Sequence, residues 1–156
     1  MGDEPERKQV NDAAKLLREK SFTFALRIVK LVQTLENESR DWVLSRQLLK
    51  SGTSIGANAR EARFAQSNSD FVSKLSISLK EGEETAYWLE LLYAAGRIPK
   101  DEFNALYQEL NWLIGTLVNI VKSCKAKESK TLRPTRPLNQ LRPQGHLTNL
   151  GGAAAT

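Results

Sequence analysis

The chain has 156 residues, 40% hydrophobic and 26% charged, the composition of one globular domain and not of a disordered or membrane-embedded chain. A single cysteine, Cys124, excludes an intramolecular disulfide, and a single histidine, His146, leaves a histidine-rich metal site or a Ser/His/Asp triad short of parts. No apolar run reaches the roughly 18 residues of a spanning helix, and the charged start MGDEPERKQV has no apolar segment behind it. A reducing cytoplasm is the expected compartment, with no membrane partner.

The formal net charge is +5 and is unevenly spread. Residues 1–127 carry 19 basic and 17 acidic side chains, whereas residues 128–156 carry 4 and 1. A nearly neutral body thus precedes a basic tail, a balance compatible with nucleic acid or another anionic surface.

Four segments show helical periodicity. The first, from about Asp12 to Glu36, stacks Leu17, Ser21, Phe24, Ile28, Leu31 and Leu35 on one face at three- and four-residue spacing. The second runs from about Arg40 to Gln66 through Leu44, Leu48, Gly52, Ile55, Ala59 and Ala62. The third runs from about Ser69 to Ala95 through Phe71, Leu75, Ser78, Gly82, Thr85, Leu89 and Leu92. The fourth runs from about Pro99 to Lys127 through Phe103, Leu106, Leu110, Leu113, Leu117, Ile120 and Cys124. Asn37, Ser39 and Asp41 form a polar break, Ser67 to Asp70 offer N-cap oxygens, Gly96 suits a left-handed helix end and Pro99 suits a first turn. Such short connections force neighbours antiparallel. The expected architecture is all-α: a flexible N-terminus at 1–11, an antiparallel up-down four-helix bundle at 12–127, and a tail at 128–156.

In the tail, Leu132-Arg133-Pro134 recurs as Leu141-Arg142-Pro143, with Arg136-Pro137-Leu138 between. Prolines at this density exclude a helix. The composition reads as disordered chain; the alternative is an arm whose Arg133, Arg136 and Arg142 contact phosphates.

On the second helix, Arg46, Lys50, Thr53, Ala57 and Arg60 form a stripe opposite the core face, with Arg63 at its edge. A polar strip of Gln47, Ser51, Ser54, Asn58 and Glu61 lies between stripe and core. The stripe is either an ordinary solvated face or a surface that displaces counterions from phosphates. Lys122, Lys125 and Lys127 would add to the latter. The third helix is acidic, with Asp70, Glu81, Glu83, Glu84 and Glu90 against Lys74 and Lys80.

Gly52, Gly56 and Gly82 leave the core faces lean, and each costs about 1 kcal/mol relative to alanine in a helix interior. Close helix–helix approach is the expected compensation, with a ligand cavity as the alternative. Phe22, Leu26 and Val29 form a second apolar face on helix one. Ile77, Trp88 and Leu91, interleaved with Glu81 and Glu84, form one on helix three, and Trp112 leaves the seam of helix four. Exposed, these faces would mark a subunit interface; tilted helices that bury them within one bundle are the alternative.

Two apparent motifs fail on context. Gly52-Thr53-Ser54-Ile55-Gly56 matches G-x-S-x-G, but that motif needs a strand-to-helix turn and a histidine base. Glu81, Glu83 and Glu84 read as solvated carboxylates without a histidine, so no metal or other cofactor is expected. No catalytic residues and no DNA-reading motif are identified.

Larger blocks carry more. Ser51-Gly52-Thr53-Ser54-Ile55-Gly56-Ala57-Asn58 with Glu61-Ala62 and Ala65-Gln66-Ser67, then Lys74 to Glu81 with Glu84-Thr85 and Tyr87-Trp88-Leu89, resemble the signature of the four-helix bundle proteins encoded in intervening sequences of bacterial 23S ribosomal RNA genes, some labelled S23 ribosomal protein. Ser21-Phe22 and Ala25 to Leu31 fit as well, so the resemblance spans roughly residues 12–127 and leaves the tail outside. That family is similar to the accessory variability determinant of diversity-generating retroelements, a basic five-subunit ring that binds nucleic acid and a reverse transcriptase. The resemblance implies a homopentameric bundle with RNA or DNA affinity, a possible reverse transcriptase partner and no catalytic residues. It casts Gly52, Ser54, Gly56, Asn58 and Gly82, and the Glu81 to Leu89 block, as packing and subunit-contact positions.

The expected function is therefore a non-enzymatic oligomer that binds structured RNA or a nucleic-acid complex by shape and backbone. The alternative is a homo-oligomeric scaffold that docks a partner protein without binding nucleic acid.

Overall fold

The computed structural model describes residues 3–38 and 42–131. Four helices follow in order, α1 (Asp3–Glu38), α2 (Trp42–Glu61), α3 (Asn68–Ala94) and α4 (Lys100–Thr131), with a 3-10 turn at Ala62–Phe64 after α2. α1 packs on α2 and α4, α3 packs on the same two, and the diagonal pairs make no close backbone contact. The fold is thus an all-α up-down four-helix bundle.

The apolar period places the core as the spacing predicts. Leu17, Phe24, Ile28, Leu48, Ile55 and Leu75 are fully buried, as are Leu89, Leu106, Leu110 and Leu113. Each such side chain contributes about 1.5–3 kcal/mol over leaving it in water. Leu44, Phe71 and Phe103, at the ends of their predicted seams, are only half-buried. Buried hydroxyls find acceptors on the backbone: Ser21 Oγ donates to Arg18 O at 3.1 Å and Thr85 Oγ1 to Glu81 O at 2.7 Å. Ser78 Oγ crosses to Ile55 O of α2 at 2.8 Å. With the Lys74–Glu61 ion pair at 3.3 Å, that bond sets the antiparallel register of α2 and α3.

The helix signals act locally as expected. Ser67 is the N-cap of α3, its side chain accepting from Asp70 N at 3.1 Å. Gly96 adopts φ 71°, which releases the chain after α3. Pro99 sits one position ahead of α4 and its carbonyl accepts the first helical bond, from Phe103 N at 2.9 Å. Across the far end of the α3–α4 seam, Tyr93 stacks on Phe103 at 4.3 Å. The Tyr107 hydroxyl donates to the Glu90 carboxylate. That hydrogen bond, with desolvation and the negative charges of Glu90 and Glu83, holds the Tyr107 phenol above its ordinary 10.0.

The helix limits differ from the expected ones at several points. α1 starts at Asp3, ahead of the expected helix start at about Asp12. α2 stops at Glu61 and tightens into the 3-10 turn, where a helix to Gln66 is predicted. α4 continues to Thr131, past the expected boundary at Lys127. At 1.5 Å per residue α1 and α4 span roughly 54 and 48 Å, whereas α2 spans roughly 30 Å. The turn after α2 is level with Asn11, Ala14 and Arg18 of α1, which line a groove with Ala62, Arg63 and Phe71. The first turns of α1 and the last of α4 therefore project beyond α2 and α3 as a two-helix stalk. Glu6 and Lys127 pair there at 4.0 Å. These ends carry charge and little apolar surface, so periodicity does not register them.

Candidate nucleic-acid interface

The stripe on α2 is an exposed surface. Arg46, Lys50, Ala57, Arg60 and Arg63 are exposed and Thr53 is half-buried. Among the described residues none of the four cations forms an ion pair with a carboxylate; the three arginines lie instead against aromatic rings. Arg46 stands 6.0 Å from the centre of Trp42, Arg60 5.8 Å from Phe22 of α1, and Arg63 5.7 Å from Phe64. A guanidinium over a ring keeps its full charge and its donors.

The adjoining polar strip grades from buried Ser51 through half-buried Gln47, Ser54 and Asn58 to exposed Glu61. Ser51 is buried and donates to Gln47 O at 3.1 Å, Ser54 donates to Lys50 O at 2.7 Å, and Asn58 Nδ2 donates to Ser54 O at 2.9 Å. These side chains are occupied by their own helix. Ser54 sits mid-helix, without the strand-to-helix turn of a nucleophile elbow.

The glycines lie where helices meet. A Cβ at Gly52 would come 3.0 Å from Ile28 Cγ2 of α1, one at Gly56 3.2 Å from Ser21 Oγ, and one at Gly82 3.1 Å from Ile114 Cγ1 of α4. Gly56 also floors a groove of about 450 Å³ between α1 and α2, lined by Arg18, Phe22, Thr53, Ala57, Arg60 and Phe64.

The expected interface residues divide between two surfaces, because α1 and α3 stand diagonally apart. Phe22 and Leu26, 59% and 47% exposed, lie with half-buried Val29 on α1. Phe22 reaches the α2 stripe. On α3, Ile77 and Leu91 are exposed and Trp88 is half-buried, its Nε1 donating to Glu84 Oε1 at 3.3 Å. Glu81 Oε2 is buried with no hydrogen-bond partner among the described residues. Trp112, 40% exposed, lies with Leu16 and Lys20 in a third groove, between α1 and α4. Phe64, 74% exposed, belongs to the first surface and sequence reasoning misses it. Its signal is the Arg63-Phe64 pair just past the last seam residue, Ala62.

Antiparallel packing sets the C-terminal ends of α2 and α4 at the same end of the bundle. Arg60 and Arg63 thus share that end with exposed Lys122 and Lys125, while Lys127 is paired with Glu6. Arg133, Arg136 and Arg142 lie outside the described residues. Among the described residues no three of His, Cys, Asp and Glu converge as metal ligands, and no helix is long and apolar enough to cross a membrane.

The chain is similar to a solved structure from Bacteroides thetaiotaomicron, described as a protein of unknown function from the S23 ribosomal protein family. The two are 44% identical over 70% of this chain and 98% of that one, with a TM-score of 0.69. No curated protein matches. The family model for the 23S rRNA-intervening sequence protein matches residues 16–119, from the first turns of the seam of α1 to near the end of that of α4. The bundle therefore belongs to the 23S rRNA-intervening sequence protein family.

Proposed function

We propose that this protein is a non-enzymatic, self-associating bundle that binds RNA through the basic face of α2. One observation carries the reading: Arg46, Lys50, Arg60 and Arg63 form an exposed line of cations with no carboxylate partner among the described residues. Phosphates are the ligand such a line accepts, through charge-assisted hydrogen bonds and counterion release. Lys122 and Lys125 of α4, diagonally across the bundle from α2, would add a separate basic surface at the same end. Repetition of weak contacts over several copies would supply avidity. The α3 face of Ile77, Trp88 and Leu91 is the proposed contact between copies. Five subunits, and an accessory role beside a reverse transcriptase, are the narrower form of this reading and rest on the family likeness.

The test is RNA binding across salt by the full chain and by Arg46→Glu/Lys50→Glu/Arg60→Glu. The wild type should lose affinity steeply as salt rises. The variant should bind far more weakly, with its log–log salt slope reduced by about 2, since each single-strand phosphate contact contributes about 0.7. Unchanged affinity would remove the α2 face from the binding surface.

A second reading is favoured by charge complementarity. The basic, ring-bearing face of α2 and the acidic, tryptophan-bearing face of α3 could meet between copies and build a protein-docking scaffold. In that case the triple variant would lose mass in solution.

A further inference from the structure

We infer that the groove between α1 and α2 is a stacking site for unpaired nucleotides, with bases on Phe22 and Phe64 and phosphates on Arg18, Arg60 and Arg63. The inference rests on the RNA reading above and narrows its ligand to single strands, against the expectation of recognition by shape and backbone alone.

Two large rings here are left in water. Phe64 is 74% exposed and Phe22 59% exposed, although a buried seam that could have taken aromatic side chains lies one helical face away. A lone exposed ring needs no explanation. Two rings from different segments lining one groove among arginines form a composite surface. Helix packing builds it: Phe22 comes from α1, Arg60 from α2, and the 3-10 turn after Glu61 sets Phe64 at the groove's end, with Arg63 beside that ring and lining the neighbouring groove. Arg18 borders both this groove and its neighbour beside Arg63.

The chemistry selects the occupant. An apolar peptide would cover the rings but leave the guanidinium groups facing apolar surface, at a desolvation cost. A duplex offers phosphates to the arginines but keeps its base faces stacked inside. An unpaired nucleotide offers both an aromatic face and an anion, the pairing by which single-strand binders work. The groove's volume of about 450 Å³ is that of a site for one small molecule, which suits bases turned out of a strand. The carboxylate in its lining, Glu61, is engaged with Lys74 at 3.3 Å, so its charge is partly offset.

The test uses the full-length protein, fluorescence anisotropy, and two probes: an unstructured single-stranded RNA and a blunt RNA duplex, with single-stranded DNA as a third arm. Phe22→Leu/Phe64→Leu keeps apolar bulk at exposed positions and removes the π-faces; Phe64→Leu alone guards against a folding effect. The wild type should prefer single strands, RNA or DNA. The double variant should lose roughly 10-fold or more in single-strand affinity, since each stacked base is worth about 5- to 150-fold. Duplex affinity, the salt slope and the mass in solution should be unchanged. Equal loss on both probes, or no loss on either, would overturn the stacking site. It would leave the basic-face reading intact if the triple glutamate variant still fails to bind. Wild-type protein that binds no probe at low salt would overturn both readings. A fall in mass on replacing the rings would make them a contact between copies and overturn the site.

Discussion

Alanine at Gly52 and alanine at Gly115 should move stability in opposite directions, although both glycines lie inside helices. In a helix interior alanine is favoured over glycine by about 1 kcal/mol. At Gly115 of α4 a new Cβ meets nothing within 4 Å among the described residues, so that gain should appear in full. At Gly52 the Cβ would stand 3.0 Å from Ile28 Cγ2, 3.1 Å from Cγ1 and 3.4 Å from Cβ. Carbon pairs are optimal at about 3.5–4.0 Å, so two atoms of Ile28 would be about half an ångström too near. Ile28 is fully buried, and its branched Cβ restricts the rotation that would relieve the contact. Overpacking of this kind costs about 1–3 kcal/mol. Set against the helix gain, Gly52→Ala should destabilise by up to about 2 kcal/mol while Gly115→Ala stabilises by about 1. Urea unfolding at one fixed protein concentration measures both, because self-association makes stability depend on concentration. A double-mutant cycle with Ile28→Ala isolates the contact, since Gly52→Ala should become favourable once the side chain it strikes is gone. An additive cycle, or equal midpoint shifts at the two glycines, would show that close approach of α1 and α2 is not what holds Gly52.

Two further outcomes follow from the α3 side of the bundle. Trp88→Ala should lower the mass measured by light scattering if the Ile77–Trp88–Leu91 face joins copies; an unaltered mass would count against that interface. Tyr107 should ionise late in an ultraviolet titration, because its phenol is held above 10.0 by the hydrogen bond to Glu90. Since the folded value is the raised one, the stabilisation is complete below pH 10 and fades as pH rises through the folded value. Tyr107→Phe should remove the late component and that part of the alkaline loss of stability, and a titration without a late tyrosine would exclude the Glu90 bond.

The helices and their inward faces were legible because they depend on neighbours three and four residues away. Leu17 to Leu35 and Leu106 to Cys124 read as seams and are buried as seams. Ser67 and Gly96 are likewise local devices, a side-chain acceptor and a left-handed backbone, and both act where their residue types suggest. Periodicity fails where charge replaces apolar repeats: the first turns of α1 and the last of α4 hold each other outside the core, one contact being Glu6 with Lys127. Nor does it tell which outward face meets which. Phe22 and Trp88 read alike as apolar residues off the seam, yet the diagonal placement of α1 and α3 separates them, and Phe22 joins Arg60. The α2 cations are visible in the chain, as are Trp42 beside Arg46 and Phe64 beside Arg63, but the ring beside Arg60 is brought there from α1. A helix's own face is set by 100° per residue, whereas the groove exists only once two helices distant in sequence have packed.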